Sequence, residues 1–175
     1  RYDDFQISKD GSKVLLYADA ENIYRRSVLY HVYVYDFNTK QINQLFPHKV
    51  LHASISPNSK DVAFVYNNNL YVKYLETNVF KAVTEDGFKN EIINGNCDWV
   101  YEEEFEFTKA YEWSENGTYI AFYKFNEKEV PTYTIPLFDS TYPTLYSYKY
   151  PKAGYPNSKV SIHTYHVAKK ELVEY

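Results

Sequence analysis

One hairpin, written three times, constrains this chain more than any other feature. Ser8-Lys9-Asp10-Gly11-Ser12-Lys13-Val14-Leu15-Leu16-Tyr17 is a polar turn followed by an apolar run. It returns as Ser56-Pro57-Asn58-Ser59-Lys60-Asp61-Val62-Ala63-Phe64-Val65, and again as Ser114-Glu115-Asn116-Gly117-Thr118-Tyr119-Ile120-Ala121-Phe122-Tyr123. The three starts lie 48 and 58 residues apart. Each copy follows a short alternating segment: Phe5-Gln6-Ile7, Ala53-Ser54-Ile55 and Tyr111-Glu112-Trp113. Asp-Gly and Asn-Gly at the tips tolerate the left-handed backbone of a tight hairpin. A third strand follows, Leu29 to Asp36 in the first copy and Asn69 to Tyr74 in the second. After a polar turn comes a short fourth, Gln41 to Phe46 and Phe80 to Thr84.

Four antiparallel strands per repeat are the mark of propeller blades. A lone four-stranded sheet leaves at least one apolar face wet, and stacking blades around an axis covers it. The expected fold is therefore all-β: part of a β-propeller, about three blades at residues 1–48, 49–86 and 108–175, with an insertion at 87–107. A β-sandwich is the rival, but it does not call for the same hairpin three times. Closed propellers have roughly four to eight blades, so three leave a blade face uncovered. The chain opens inside a pattern, on Arg1-Tyr2-Asp3, and closes on Glu174-Tyr175. It reads as a segment of a longer protein.

Composition agrees. The 21 Tyr and 11 Phe, in runs such as Val32-Tyr33-Val34-Tyr35, favour pleated strands. A net charge of −4 with no basic stripe argues against nucleic acid as a partner. The apolar runs are too short to span a bilayer. The single Cys97 excludes an intrachain disulfide framework within this segment and mildly favours a bacterial source. No metal-ligand spacing is present, and no cofactor is called for. The histidines at 31, 48, 52, 163 and 166 form no triad grouping, and no Gly-x-Ser-x-Gly elbow occurs. The segment has no means of its own to cut a bond.

The insertion carries Asp98-Trp99-Val100-Tyr101-Glu102-Glu103-Glu104-Phe105-Glu106-Phe107. Asp98 suits an N-cap and early glutamates suit the positive end of a helix, so a short helix is expected from Trp99 to about Phe105. Four carboxylates within five residues repel one another and resist ionisation unless a cation sits among them. Taken alone, such a run is most simply a solvated acidic face. A second feature interrupts the first copy: Ala20-Glu21-Asn22-Ile23-Tyr24-Arg25-Arg26-Ser27. Its paired arginines are either surface residues or donors to a carboxylate or peptide carbonyl. The Tyr- and Pro-rich stretch from Val130 to Lys149 lacks the blade pattern and by itself reads as a wandering surface loop. Asn116-Gly117-Thr118 satisfies the glycosylation rule, but the hairpin turn already accounts for it.

With these residues in view, Asp98 to Glu104 resembles the double-glutamate motif of the dipeptidyl peptidase IV group, in the prolyl oligopeptidase family of serine peptidases. Tyr24-Arg25-Arg26-Ser27 followed by Tyr33-Val34-Tyr35-Asp36 is similar to that group's Trp-Arg-His-Ser and Tyr-Asp-Ile-Tyr-Asp. Asn68 to Lys73, Trp113 to Thr118, Phe125 to Pro131 and Tyr150 to Gly154 match further segments in the same order. The likeness covers essentially the whole chain.

The resemblance implies early blades of an eight-bladed propeller that caps an α/β-hydrolase domain absent from this segment. It implies that Glu103 and Glu104 receive the free amino terminus of a peptide substrate, while Arg25 contacts a peptide carbonyl. Glu102 is set apart from substrate. Arg26 stands where the group has histidine, which allows a one-residue slip in the arginine assignment. Phe107 stands where a serine near the substrate occurs, which leaves fine specificity open. The implied activity is release of N-terminal X-Pro or X-Ala dipeptides, with a homodimer formed through the 130–149 arm and export to a periplasm or cell surface. The alternatives are a non-catalytic propeller binding module or a pseudo-peptidase. A TolB-like propeller is a third idea, but it predicts no glutamate insertion.

Overall fold

The computed structural model describes residues 1–174. In the first sheet, β1 (Asp4–Ile7), β2 (Lys13–Asn22), β3 (Val28–Asp36) and β4 (Gln41–Gln44) pair antiparallel in chain order. A second sheet repeats the order with β5 (Leu51–Ile55), β6 (Asp61–Tyr66), β7 (Asn69–Tyr74) and β8 (Val79–Ala82). Then come β9 (Ile92–Asn94), helix α1 (Trp99–Phe105), β10 (Tyr111–Trp113) and β11 (Tyr119–Asn126). A separate two-stranded hairpin, β12 (Thr132–Leu137) with β13 (Thr144–Lys149), precedes β14 (Lys159–His166) and β15 (Glu171–Glu174). The third sheet runs β10-β11-β14-β15, with β9 added alongside the far end of β11. These are three propeller blades and a projecting hairpin.

The repeated turn is built from the same hydrogen bonds each time. Ser8 Oγ donates to Asp10 and accepts from Lys13 N–H at 2.9 Å. Ser56 does the same with Asn58 and Asp61, and Ser114 with Asn116 and Tyr119. The residue after each Asp or Asn takes a positive φ: Gly11 at 71°, Ser59 at 61° and Gly117 at 70°. A serine hydroxyl that closes the turn explains why the pattern recurs with so little sequence identity.

Burial shows how the blades stack. Val62 and Phe64 face the first sheet, joining Leu15, Val32, Val34 and Phe46. Ala63 and Val65 face the third sheet, joining Tyr111, Ile120, Phe122 and Tyr165. The middle blade is thus covered on both faces, and Val62 to Val65 of β6 form one continuous apolar run. In β11 buried Ile120 and Phe122 alternate with exposed Tyr119 and Tyr123, the signature of a strand with one wet face. Phe5 and Ile7 on the first blade, and Ile162 and Leu172 on the third, are likewise exposed. Uncovered outer faces are what three blades of a larger ring require. The third sheet is complete, because its last two strands follow the projecting hairpin.

Candidate functional site

Helix α1 sits where the segment 87–107 leaves the second blade and enters the third. Asp98 caps it, accepting from Tyr101 N–H at 3.0 Å with one oxygen and from the Ser158 hydroxyl with the other. Glu106 ends it in the left-handed conformation, φ 56°. Aromatic side chains hold the helix down. Tyr101 packs edge-on against Phe125, with ring centroids 4.9 Å apart. Trp99 packs against Tyr148 and Tyr150 at the base of the projecting hairpin. Phe107 turns toward Tyr123 and Tyr101, half-buried beneath the helix.

A helix turns about 100° per residue, so three consecutive glutamates must point three ways. Glu102 points inward and is 1% exposed. Its Oε1 accepts the backbone N–H groups of Arg26 and Ser27, each at 2.8 Å, and its Oε2 accepts the Ser27 hydroxyl at 2.6 Å. Glu103 Oε2 meets Arg25 Nε at 3.0 Å, with the glutamate side chain largely covered and the arginine largely exposed. Glu104 is exposed. Among the described residues nothing pairs with its carboxylate. Glu106, at the helix end, pairs with Arg26 Nη2 at 2.9 Å.

The expected crowding of carboxylates is therefore relieved from the first blade. Two guanidinium groups and three neutral donors from Arg25-Arg26-Ser27 meet Glu102, Glu103 and Glu106. The structure brings Arg25 and Glu103 into contact and places Glu104 on the same short helix. Arg25 keeps its terminal nitrogens for another acceptor. One open carboxylate, one shared carboxylate and one exposed guanidinium can together accept a cation and donate to a carbonyl.

Sequence reasoning passed over two participants. Glu102 read only as the glutamate set apart, and Ser27 only as part of a motif. Three identical letters in a row carry no signal for which one is buried.

A cavity of about 670 Å³ adjoins the helix, lined in part by Tyr24, Asp98, Trp99, Glu127, Tyr146 and Lys149. Tyr146 donates its hydroxyl to that of Tyr24 at 3.3 Å, linking the projecting hairpin to the arginine loop. Burial, reinforced by that hydrogen bond, pushes the Tyr24 phenol well up. Burial, with Asp98 nearby, raises the Glu127 carboxyl to about 7, against a smaller opposing pull from Lys149. Burial also holds the Cys97 thiol in its protonated form, and its Sγ donates to the Phe107 carbonyl. Among the described residues no group of three or more His, Cys, Asp and Glu is gathered as a metal site would need.

Fold and site together define an all-β propeller segment whose inserted acidic helix is bound to an arginine loop of the first blade. Residues 8–175 match the model of the dipeptidyl peptidase IV N-terminal region. The chain belongs to that family. It is 38% identical over 182 residues to a probable dipeptidyl-aminopeptidase B of Pyrenophora teres f. teres, covering 94% of this chain and 20% of the relative. It is 37% identical over 164 residues to dipeptidyl aminopeptidase B of Saccharomyces cerevisiae, covering 90% of this chain and 20% of the relative. The crystal structure of Porphyromonas gingivalis dipeptidyl peptidase 4 superposes with a TM-score of 0.94 at 40% identity, covering 99% of this chain and 25% of that one. The chain thus spans about a fifth of the length of the curated relatives it matches.

Proposed function

We propose that this chain is the substrate-gating propeller segment of a serine dipeptidyl aminopeptidase that releases N-terminal X-Pro or X-Ala dipeptides. Glu103 and Glu104 hold the peptide's free amino terminus, and Arg25 donates to the carbonyl of the residue bearing it. The reading is carried by one observation above all: Arg25 and Glu103 meet at 3.0 Å while the next residue of the helix, Glu104, stands open. The names of the relatives support the reaction class.

The physical case is short. A free α-amino group has a pKa near 7.7–8.0 and is a compact cation at working pH. Carboxylates shielded by a protein wall bind it more strongly than they would in open water. The anchor also measures length, because an amine held on the helix puts the scissile bond a fixed two residues away. An acetylated terminus offers no charge for Glu103 and Glu104 to hold. Cutting falls to a hydrolase domain elsewhere in the same protein. The projecting hairpin serves as the arm of a homodimer.

The test uses the full-length enzyme and Gly-Pro-p-nitroanilide. Glu103→Gln and Glu104→Gln each lower kcat/KM by about 100-fold or more, while circular dichroism and melting temperature stay near wild type. Wild-type turnover in both variants would remove the amine-anchor assignment.

A further inference from the structure

The outer glutamates and Arg25 are useful only if the arginine is in place when substrate arrives, and little in Arg25's own surroundings holds it. Its side chain is 71% exposed and meets Glu103 through Nε. An ion pair through a largely exposed arginine contributes little net stability, because holding the long side chain in one geometry offsets most of the attraction. The position of the guanidinium therefore depends on where the backbone puts its Cα.

That backbone is gripped by Glu102. The turn from Ile23 to Ser27 is closed by an Ile23 N–H to Ser27 carbonyl bond of 2.9 Å. The N–H groups of Arg26 and Ser27, immediately after Arg25, both end on Glu102 Oε1. Ser27 is itself 1% exposed and gives its hydroxyl to Glu102 Oε2. A buried carboxylate is costly unless its lone pairs are met, and three donors meet most of them here. The helix thus holds the loop's backbone through one residue and its side chain through the next. Arg26 and Glu106 add a third, more exposed tie one turn further on.

We propose that Glu102 is a positioning residue: its buried carboxylate fixes the Arg25 loop against helix α1, so that Arg25 and the two outer glutamates form one preorganised receptor for the substrate's amino-terminal residue. The inference rests on the amine-anchor reading above. It gives Glu102 no contact with substrate and makes its whole effect pass through Arg25.

A double-mutant cycle in the full-length enzyme tests this. Glu102→Ala lowers kcat/KM for Gly-Pro-p-nitroanilide by about 10- to 100-fold, chiefly through KM. The rate of labelling by a fluorophosphonate probe, which has no amine to anchor, stays within about twofold. Glu102→Gln recovers most of the activity, because its amide oxygen still accepts both N–H groups and its NH2 can donate to Ser27 Oγ. In an Arg25→Ala background, Glu102→Ala brings less than threefold further loss. A full, additive loss in that background overturns the proposal, and so does an equal fall in fluorophosphonate labelling. Where Glu102→Ala does not fold, Ser27→Ala removes only the hydroxyl donor; it must show the same KM effect at smaller amplitude, and wild-type kinetics there also overturn the proposal. Failure of the amine anchor would look different, since Glu103→Gln and Glu104→Gln would then keep wild-type turnover whatever Glu102 does.

Discussion

Arg25 Nε lies 3.0 Å from Glu103 Oε2, joining a loop of the first blade to a helix inserted before the third. The neighbouring pair, Arg26 with Glu106, has nearly the same length but leaves the glutamate 73% exposed. The two arginines are adjacent in sequence and unequal in surroundings. Because the proposed function puts only Arg25 on the substrate's carbonyl, Arg25→Ala is expected to lower kcat/KM for Gly-Pro-p-nitroanilide by about 10- to 100-fold, and Arg26→Ala by less than about threefold. Steady-state kinetics of the two variants decide it. The reverse order would mean that Arg26 is the substrate arginine.

Glu127 supplies a pH signature. Its carboxyl is raised from 4.5 to about 7 by burial, so the folded state holds the proton more tightly than the unfolded chain. Stability consequently falls as pH rises from about 4.5 to 7, and levels off above that. Glu127→Gln cannot ionise and escapes this loss. The variant is expected to gain on the order of 3 kcal/mol over wild type between pH 5 and pH 8. Denaturant midpoints measured at both pH values check it, and a constant gap between the two proteins would contradict it.

Ser59 occupies, at φ 61°, the turn position that Gly11 and Gly117 fill in the other two repeats. A left-handed residue with a Cβ costs roughly 1–2 kcal/mol, and glycine gives back roughly 0.5–1 kcal/mol through its freer unfolded chain. Ser59→Gly should stabilise the protein by up to about 1 kcal/mol, and Ser59→Ala, which keeps the Cβ, should not. Thermal melts of both variants separate backbone strain from any effect of the lost hydroxyl.

The projecting hairpin carries Phe138, Tyr142 and Leu145 at 78%, 82% and 75% exposure. Large apolar side chains so exposed at one tip suit a protein interface. Replacing all three by serine should convert the proposed homodimer to monomer by light scattering, without lowering the melting temperature of the blades. A retained dimer mass would place the interface elsewhere.

Much of this molecule was legible in its residues. The serine-closed turn and the strand after it recur because each blade must solve the same local problem, and local hydrogen bonds write themselves into local sequence. Helix α1 runs from Trp99 to Phe105 as Asp98 and its neighbours imply. Other features had no local signature. Ile92–Asn94 is too short to announce itself, and it is a strand only because the end of β11 offers it partners. The stretch around Val130–Lys149 showed no strand pattern of its own and read as an arm only through the resemblance, and cross-strand pairing from Thr132↔Lys149 to Leu137↔Thr144 makes it a hairpin.

The acidic helix divides the two kinds of information most clearly. Sequence alone determined that a capped helix would carry three glutamates with a fourth just past its end, and that an arginine pair interrupts the first repeat. It could not say that Glu102 is buried, Glu103 shared and Glu104 open, because identical neighbours differ only in the direction the helix turns them. That direction is set by Tyr101 against Phe125 and by Trp99 against Tyr148 and Tyr150. The donors that decide each glutamate's state come from a loop some 75 residues earlier in the chain. Only blade stacking brings that loop and the helix together.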